Sequence, residues 1–202
     1  MTHDIEVYNP SDRPLFRSIG EWTILWWNWA LSIPKRINPV VDKSGEYAHI
    51  GQPPDVWFLA GRFGSEDKSF PHRRCTIPYG TPILLPVLNC EANQLEYPYL
   101  RNELDLINHV SDDIDTVVKK DCFINGEPLP LMRIQSDPQI FSLKICNENG
   151  MEIERSGVTK AAADGYWVFM KPPPRGKYRL QFHGSCEAGK LAAGAIYDVT
   201  IL

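Results

Sequence analysis

The stretch KYRLQF at residues 177–182 alternates polar and apolar side chains with a period of two. This period places the apolar members on one face of a β-strand and the polar members on the other. The same alternation recurs in IFSLKI at residues 140–145 and in YDVTI at residues 197–201. Strands with one buried and one wet face are typical of antiparallel sheets that pack face to face. The sequence therefore predicts a mainly β protein, an antiparallel β-sandwich with a jelly-roll-like arrangement.

The composition agrees with this fold class. The chain has 202 residues, of which 43% are hydrophobic, so it can bury a core of ordinary size. Its 17 prolines exclude a helical bundle, because proline ends helices. We expect one domain over residues 1–202. Its N-terminal arm, helix and polar loop occupy residues 1–54, and the β-sandwich occupies residues 55–202.

An aromatic-rich helix is predicted over residues 18–33. Ser18 and Glu21 have the spacing of a capping box, and Pro34 ends the helical pattern. A helix that is apolar on two sides is buried between layers, or it buries its second side against a partner, so a homo-oligomer is one expectation. At helical spacing the apolar side chains form two opposite stripes, Trp22, Leu25, Trp26, Trp29 and Ile33 on one side and Ile24, Trp27 and Leu31 on the other.

Three local signals lie in the middle of the chain. Two prolines within the apolar run at residues 81–88 predict either an edge strand or a β-bulge. The Ser-Asp-Asp sequence at residues 111–113 predicts the start of a short second helix, since acids are favourable at a helix N-terminus. The Asn-Gly pair at residues 125–126 predicts a hairpin with a type I′ turn.

Charge and hydropathy limit the classes of partner. The 21 Lys and Arg residues against 25 Asp and Glu residues give a net charge of −4, which is unfavourable for binding nucleic acid. No apolar run is long enough to span a membrane. The N-terminus shows no secretory signal, so we expect a cytoplasmic protein by default, or an exported one if the N-terminus is processed.

The five cysteines are widely spaced and contain no C-x-x-C pair. This pattern argues against a zinc site and against a dense disulfide framework. Cys75 and Cys90 flank a predicted strand and could meet if the chain doubles back. The favoured interpretation is that the cysteines are buried, reduced thiols.

A first candidate site combines the aromatic helix with the polar loop at residues 38–54. Amides and acids beside indole rings suit a hydroxyl-rich or other polar ligand, and loops at sheet ends often carry binding residues. The other interpretation is that the amides satisfy the backbone of an irregular loop. We expect a soluble protein that binds a polar small molecule, a glycan or a protein partner through a cleft between this helix and this loop, with no cofactor. The ligand-binding candidates are Trp27, Asn28, Gln52 and Trp57.

An enzyme is the competing class, hydrolase-like or lyase-like, and dependent on a metal or on a histidine beside an acid. Its catalytic candidates are Asp42, His49 and His109. If residues 105–112 formed one helix, Asp105, His109 and Asp112 would share a face and could ligate a divalent metal. A helix that starts at residue 111 argues against this arrangement, so a metal site is not favoured. A structural subunit of a homo-oligomer is the third alternative.

Several segments resemble those of a group of uncharacterised bacterial proteins. They are WWNW at residues 26–29, VWFLAG at residues 56–61, CTIPYG at residues 75–80 and LPVLN at residues 85–89. Similar proteins often carry an export signal, and an alanine-glycine pair where this chain has Tyr79-Gly80. The resemblance implies one integrated domain and carries over no activity.

Overall fold

A computed structural model of the protein describes residues 5–64, 70–187 and 191–202. This part of the chain contains the α-helices α1 (Ile19–Ser32) and α2 (Glu103–Asp115) and short 3-10 helices at Pro14–Phe16 and Lys35–Ile37. The strands are β1 (Trp57–Phe58), β2 (Arg62–Gly64), β3 (His72–Ile77), β4 (Ile83–Asn93), β5 (Val117–Ile124), β6 (Glu127–Pro128), β7 (Met132–Arg133), β8 (Phe141–Ile145), β9 (Gly157–Met170), β10 (Gly176–Cys186) and β11 (Ala192–Ile201).

The strands form two sheets. The first sheet has the order β1-β4-β9-β7, with β8 also paired to β9. The second sheet has the order β2-β11-β10-β5-β6, with β3 also paired to β11. Most neighbours are antiparallel, but β1 runs parallel to β4 and β3 runs parallel to β11. The predicted mainly β sandwich with its aromatic-rich helix is confirmed, and the jelly-roll-like arrangement stays a prediction.

The two sheets pack against each other through alternate residues of their strands. Ile83, Leu85 and Val87 of β4 join Leu180 and Tyr197 of the second sheet in one buried apolar cluster. Complete burial of an aliphatic side chain stabilises a fold by about 1.5–3 kcal/mol. The period of two that predicts these strands therefore also provides the core between the sheets.

Helix α1 covers the opposite face of the first sheet. Its predicted capping box is present, since Ser18 Oγ accepts from Glu21 N at 3.1 Å and Glu21 Oε2 accepts from Ser18 N at 2.6 Å. Trp26 Nε1 donates to the carbonyl of Leu59 at 2.9 Å and so ties the helix to the end of β1. Trp26 on one apolar stripe and Trp27 on the other are both fully buried. The helix therefore buries its second side within this chain.

The prolines before and within β4 mark a bulge. Strand β4 lies between β1 and β9, so it is not an edge strand. Its register with β9 shifts between Pro86 and Leu88. Proline has no backbone N–H to donate to a neighbouring strand. In a β-bulge one strand has an extra residue that stays outside the hydrogen-bond pattern, so a proline is tolerated there. Of the two sequence alternatives, the bulge is correct and the edge strand is wrong.

The second helix begins earlier than the sequence predicts. Asn102 caps α2, its side chain accepting from Asp105 N at 3.0 Å, and Asp105 completes a capping box. Ser111 therefore lies inside the helix, and the predicted start at residues 111–113 is wrong. The buried stripe of Leu106 and Val110 shows which cap prevails, because it continues N-terminal to Ser111.

The hairpin between β5 and β6 has the predicted turn. Asn125 and Gly126 have φ values of 51° and 89°, which a type I′ turn requires at both central positions. Strand β6 contains only two residues and ends at Pro128. The side chain of Asn125 accepts from Arg179 N at 2.8 Å, so the turn is fixed to the neighbouring strand.

Neither helix in the described residues has both the length and the apolar character of a membrane-spanning segment. All five cysteines are free thiols. Cys75 lies in the second sheet and Cys90 lies buried in the first. The interpretation of the cysteines as unbridged thiols agrees with this arrangement.

Candidate functional site

The two predicted ligand-binding amides cross-link the backbone. Asn28 Nδ2 donates to the carbonyl of Ser142 at 3.1 Å, and its Oδ1 accepts from Lys144 N at 3.1 Å. Gln52 pairs with the backbone of Phe58, donating to its carbonyl at 2.9 Å and accepting from its N–H at 2.7 Å. Asn28 therefore joins α1 to β8, and Gln52 joins the polar loop to β1. These bonds use the polar atoms that the sequence analysis assigned to a ligand.

The predicted indoles lie on opposite faces of the first sheet. Trp27 belongs to α1 and packs in the apolar cluster between this helix and the first sheet. Trp57 packs on the other face, towards the second sheet. Their Nε1 atoms are buried without a hydrogen-bond partner in the described part of the chain. The four predicted residues therefore do not converge on one cleft, and that expected constellation is not formed.

Asp42 and His49 do not form a catalytic pair. Asp42 accepts from the backbone N–H groups of Ser44 and Tyr47, both at 2.9 Å. Burial raises the pKa of Asp42, but these hydrogen bonds outweigh it and the net pKa lies below the ordinary value. His49 is exposed, and no hydrogen bond or ion pair joins it to Asp42 in the described residues. The carboxylate therefore shapes the loop.

The proposed metal ligands on α2 share one helix but not one site. Asp105 Oδ2 accepts from Arg101 N at 2.8 Å as part of the helix cap. The His109 ring lies 4.7 Å from the ring of Tyr97, and Asp112 is exposed. Across residues 5–64, 70–187 and 191–202, no three His, Cys, Asp or Glu side chains are arranged to hold a metal ion. Residues 105–112 do form one helix, contrary to the predicted start at residue 111, but Asp105 is used in the helix cap.

A cleft does lie between the end of α1 and the polar loop, but other residues line it. It has a volume of about 430 Å³, and it is bounded by Lys35, the turn at residues 40–43, the start of β2 and the β8–β9 connection. We call it the helix–loop cleft. Its apolar floor consists of Val40, Val41, Phe63 and Met151, and its cations are Lys35, Lys43 and Arg62.

An aromatic stack supports the floor of the helix–loop cleft. The ring of Phe63 lies nearly parallel to that of Trp27, with centroids 6.3 Å apart and an interplanar angle of 16°. Trp27 also meets Trp26 edge to face at 5.1 Å. Because Trp27 is fully buried, the half-buried Phe63 ring rests on a rigid support. Trp27 therefore lies one ring behind the cleft surface.

The rim of the helix–loop cleft is cationic. Lys35 pairs with Glu152 of the β8–β9 connection. Lys43 and Arg62 have no ion-pair partner among the residues that the structure describes. Two uncompensated cations therefore border an apolar floor, in a chain whose net charge is −4.

Buried Arg73 fixes the wall of the helix–loop cleft. Its guanidinium donates to the carbonyls of Val40, Asp42 and Ala60 at 2.8, 2.7 and 2.5 Å. It also donates to the hydroxyl of Tyr197 at 2.8 Å. The cation thus pairs the carbonyls of Val40 and Asp42, which would otherwise be buried unpaired, and it shares the carbonyl of Ala60 with the Tyr197 hydroxyl. This arrangement sets the position of the 40–43 turn relative to the second sheet.

Asn38 closes the other side of the same wall. Its Nδ2 donates to the carbonyls of Ala30 and Ile33 at 2.8 and 2.7 Å, and its Oδ1 accepts from Val40 N at 2.9 Å. A Cβ on Gly150 would lie 3.0 Å from the Asn38 side chain, so the β8–β9 connection approaches closely only because residue 150 is glycine. The geometry of the helix–loop cleft is therefore preformed.

A buried carboxyl pair lies at the end of β4. Glu91 accepts from Asn93 Nδ2 at 3.1 Å, and its carboxyl group hydrogen-bonds to that of Glu96. Desolvation, together with the negative charge of Glu96, raises the pKa of Glu91 to about 8. Desolvation also raises the pKa of Glu96. Both shifts favour a protonated form of the pair, in which one carboxyl group donates a hydrogen bond to the other.

Burial makes two of the cysteines, Cys75 and Cys122, poor nucleophiles. Burial raises the pKa of Cys75 and that of Cys122 to about 12 in each case. A thiol with such a pKa is almost entirely protonated at neutral pH, and the thiolate is the reactive form. These side chains act as small apolar residues, as the sequence analysis expects.

Comparisons with protein-family models, with curated proteins and with solved structures give no match to this chain. The functional argument therefore depends on the geometry described above.

The residues that line the helix–loop cleft were missed by the sequence analysis. Lys43, Arg62, Phe63 and Met151 come from three separate segments, and no spacing or motif connects them. The one available signal was the presence of cations in and around the polar loop of an acidic chain.

Proposed function

We propose that the protein binds an anionic small molecule with an apolar or aromatic body in the helix–loop cleft. One observation carries this proposal: Lys43 and Arg62, both without an ion-pair partner in the described residues, stand at the rim of an apolar floor. The carboxylate that lines the cleft, Glu152, pairs with Lys35, so the two cations without an ion-pair partner in the described residues favour binding of an anion.

The chemistry of the helix–loop cleft selects the ligand class. The Arg62 guanidinium can pair with a carboxylate or phosphate through two parallel hydrogen bonds, and the Lys43 ammonium adds a second positive charge. The Phe63 ring offers a face for an aromatic group. A volume of about 430 Å³ lies within the usual range for small-molecule sites.

The test is calorimetric titration with benzoate, with benzyl alcohol as the uncharged control. Benzoate should bind and benzyl alcohol should not, because the rim recognises the carboxylate. Arg62→Ala and Lys43→Ala should each weaken benzoate binding about tenfold, which corresponds to about 1.4 kcal/mol. Lys119→Ala removes an exposed cation of the second sheet and serves as the matched control. Equal affinities for benzoate in wild type and the three variants would overturn the proposal.

Tryptophan fluorescence tests whether benzoate binds against Phe63. Trp27 lies behind Phe63, so benzoate stacked on that ring should change the indole emission. Trp27→Phe keeps an aromatic ring in the stack and should retain the heat of binding while it loses the fluorescence response. A response that persists in Trp27→Phe would place the ligand away from Phe63 and contradict the assignment.

A further inference from the structure

The outer face of the second sheet carries a separate groove. It has a volume of about 570 Å³ and spans β3, β11, β10 and the β5–β6 turn. The apolar side chains of these strands face the core between the sheets, so the groove is lined by the outward, polar set. It lies on the sheet that does not carry α1, away from the helix.

The strand register arranges six outward side chains as two rows of three. In one row Asp198 of β11 lies between Arg74 of β3 and Arg179 of β10. In the other row Thr200 lies between Thr76 and Lys177, which are two residues after Arg74 on β3 and two residues before Arg179 on β10. Directly opposed side chains on neighbouring strands are about 5 Å apart at Cβ. The two rows therefore form a patch three strands wide, which we call the six-residue grid.

The six-residue grid carries two net positive charges. Asp198 Oδ2 lies 2.7 Å from His72 Nε2, and its Oδ1 lies 3.7 Å from Arg179 Nη1. Arg74 and Lys177 make no ion pair within the described ranges of the chain. Two uncompensated cations on opposite sides of the groove, next to a third that shares one carboxylate, are arranged to hold a divalent oxyanion.

The remaining groups of the groove suit a hydroxylated body. Thr76 and Thr200 each provide a hydroxyl that can donate and accept hydrogen bonds. Asn125 at the groove end uses its Oδ1 for Arg179 N, which leaves its NH₂ group as a donor. We propose that this groove is a second binding site, for a phosphate monoester of a sugar or other polyol. The cations hold the phosphate, and the hydroxyl and amide groups bind the polyol.

The experiment compares three probes by calorimetry at low salt: glucose 6-phosphate, inorganic phosphate and glucose. The ester should bind most tightly, inorganic phosphate more weakly, and glucose not at all. Binding of the ester should weaken as sodium chloride is added, since exposed charges are screened. An ester that binds no better than inorganic phosphate, or that gives no saturable heat, overturns the proposal.

Substitutions assign the binding to this groove. Arg74→Ala and Lys177→Ala should each weaken ester binding about tenfold. Asp198→Asn should strengthen it, because the change removes the one negative charge of the six-residue grid. Lys144→Ala, at an exposed position of the first sheet, is the matched control. Unchanged affinity in Arg74→Ala and Lys177→Ala would refute the site, and weaker binding in Asp198→Asn would refute the electrostatic argument. Arg62→Ala should leave this binding intact, so the two sites are tested independently.

Discussion

Replacement of Glu91 by glutamine tests whether the buried carboxyl pair holds a proton in the folded protein. Glu91 lies on β4, where every residue is buried, and its side chain contacts Glu96 and Asn93. Glutamine has nearly the same shape and stays neutral at every pH. The substitution therefore removes the ionisation and keeps the packing.

The expected change in the free energy of unfolding follows from the raised pKa of Glu91. The ordinary pKa of a glutamate is 4.5, and burial beside Glu96 raises that of Glu91 to about 8. At 1.36 kcal/mol for each pH unit, this difference corresponds to about 5 kcal/mol. A raised pKa means that folding favours the protonated form. The stabilisation is complete below about pH 4.5 and is lost as the pH rises through about 8. The value of about 5 kcal/mol is an upper bound, because water that enters the site lowers the free-energy cost of burying the ionised carboxylate.

The assay is urea unfolding of wild type and Glu91→Gln at several pH values from 5 to 9. The two proteins should have similar free energies of unfolding at pH 5. At pH 9 the variant should be the more stable by several kcal/mol, because only wild type carries a buried negative charge at residue 91. Glu46→Gln, at an exposed position, controls for the loss of a surface carboxylate. A stability difference between Glu91→Gln and wild type that stays constant from pH 5 to 9 would refute the reasoning.

Two further substitutions test the helix cap and the cleft wall, both by urea unfolding. Ser18→Ala should destabilise the fold by about 1–2 kcal/mol, since it removes the cap of α1. The control is Ser11→Ala, at an exposed position, which should have no effect. Equal losses of stability in the two variants would contradict the capping role. Arg73→Met should cost at least about 2 kcal/mol, because it leaves the buried carbonyls of Val40 and Asp42 unpaired. The neighbouring outward residue provides its control: Arg74→Met should change stability by less than about 0.5 kcal/mol, and a comparable loss in both would contradict the argument.

Local signals predicted the elements that depend on local physics. The capping box of Ser18 and Glu21 and the positive φ values at Asn125 and Gly126 involve residues that are close in sequence. The start of α2 was mispredicted because two caps compete, and the prevailing one is identified only by the apolar stripe beyond it. The parallel pairs β1–β4 and β3–β11 could not be predicted, since strand order depends on contacts between distant segments.

The residues that line the proposed cleft differ from the four that the sequence suggested as ligand-binding residues. Asn28 and Gln52 are polar residues in an otherwise apolar region, which is why they suggested a ligand. An irregular loop buried against a helix has backbone groups that need partners, and short amides are the side chains that satisfy them. The alternative that assigned the amides to the backbone is the correct one. Lys43 and Arg62 have no ion-pair partner among the described residues, since long charged side chains at a rim keep their ends in water.

The net charge of −4 does not prevent the two proposed sites from binding anions. At physiological ionic strength the Debye length is about 8 Å, so an anion in either site responds mainly to charges within the site itself. In the helix–loop cleft these are Lys43 and Arg62 together with the Lys35–Glu152 ion pair, and in the six-residue grid they are Arg74, Lys177, Arg179 and Asp198. Exposed carboxylates elsewhere on the chain are screened beyond that distance. Removal of a cation from one site should therefore weaken binding at that site and leave the other unchanged, whereas a global change in net charge at distant positions should affect neither.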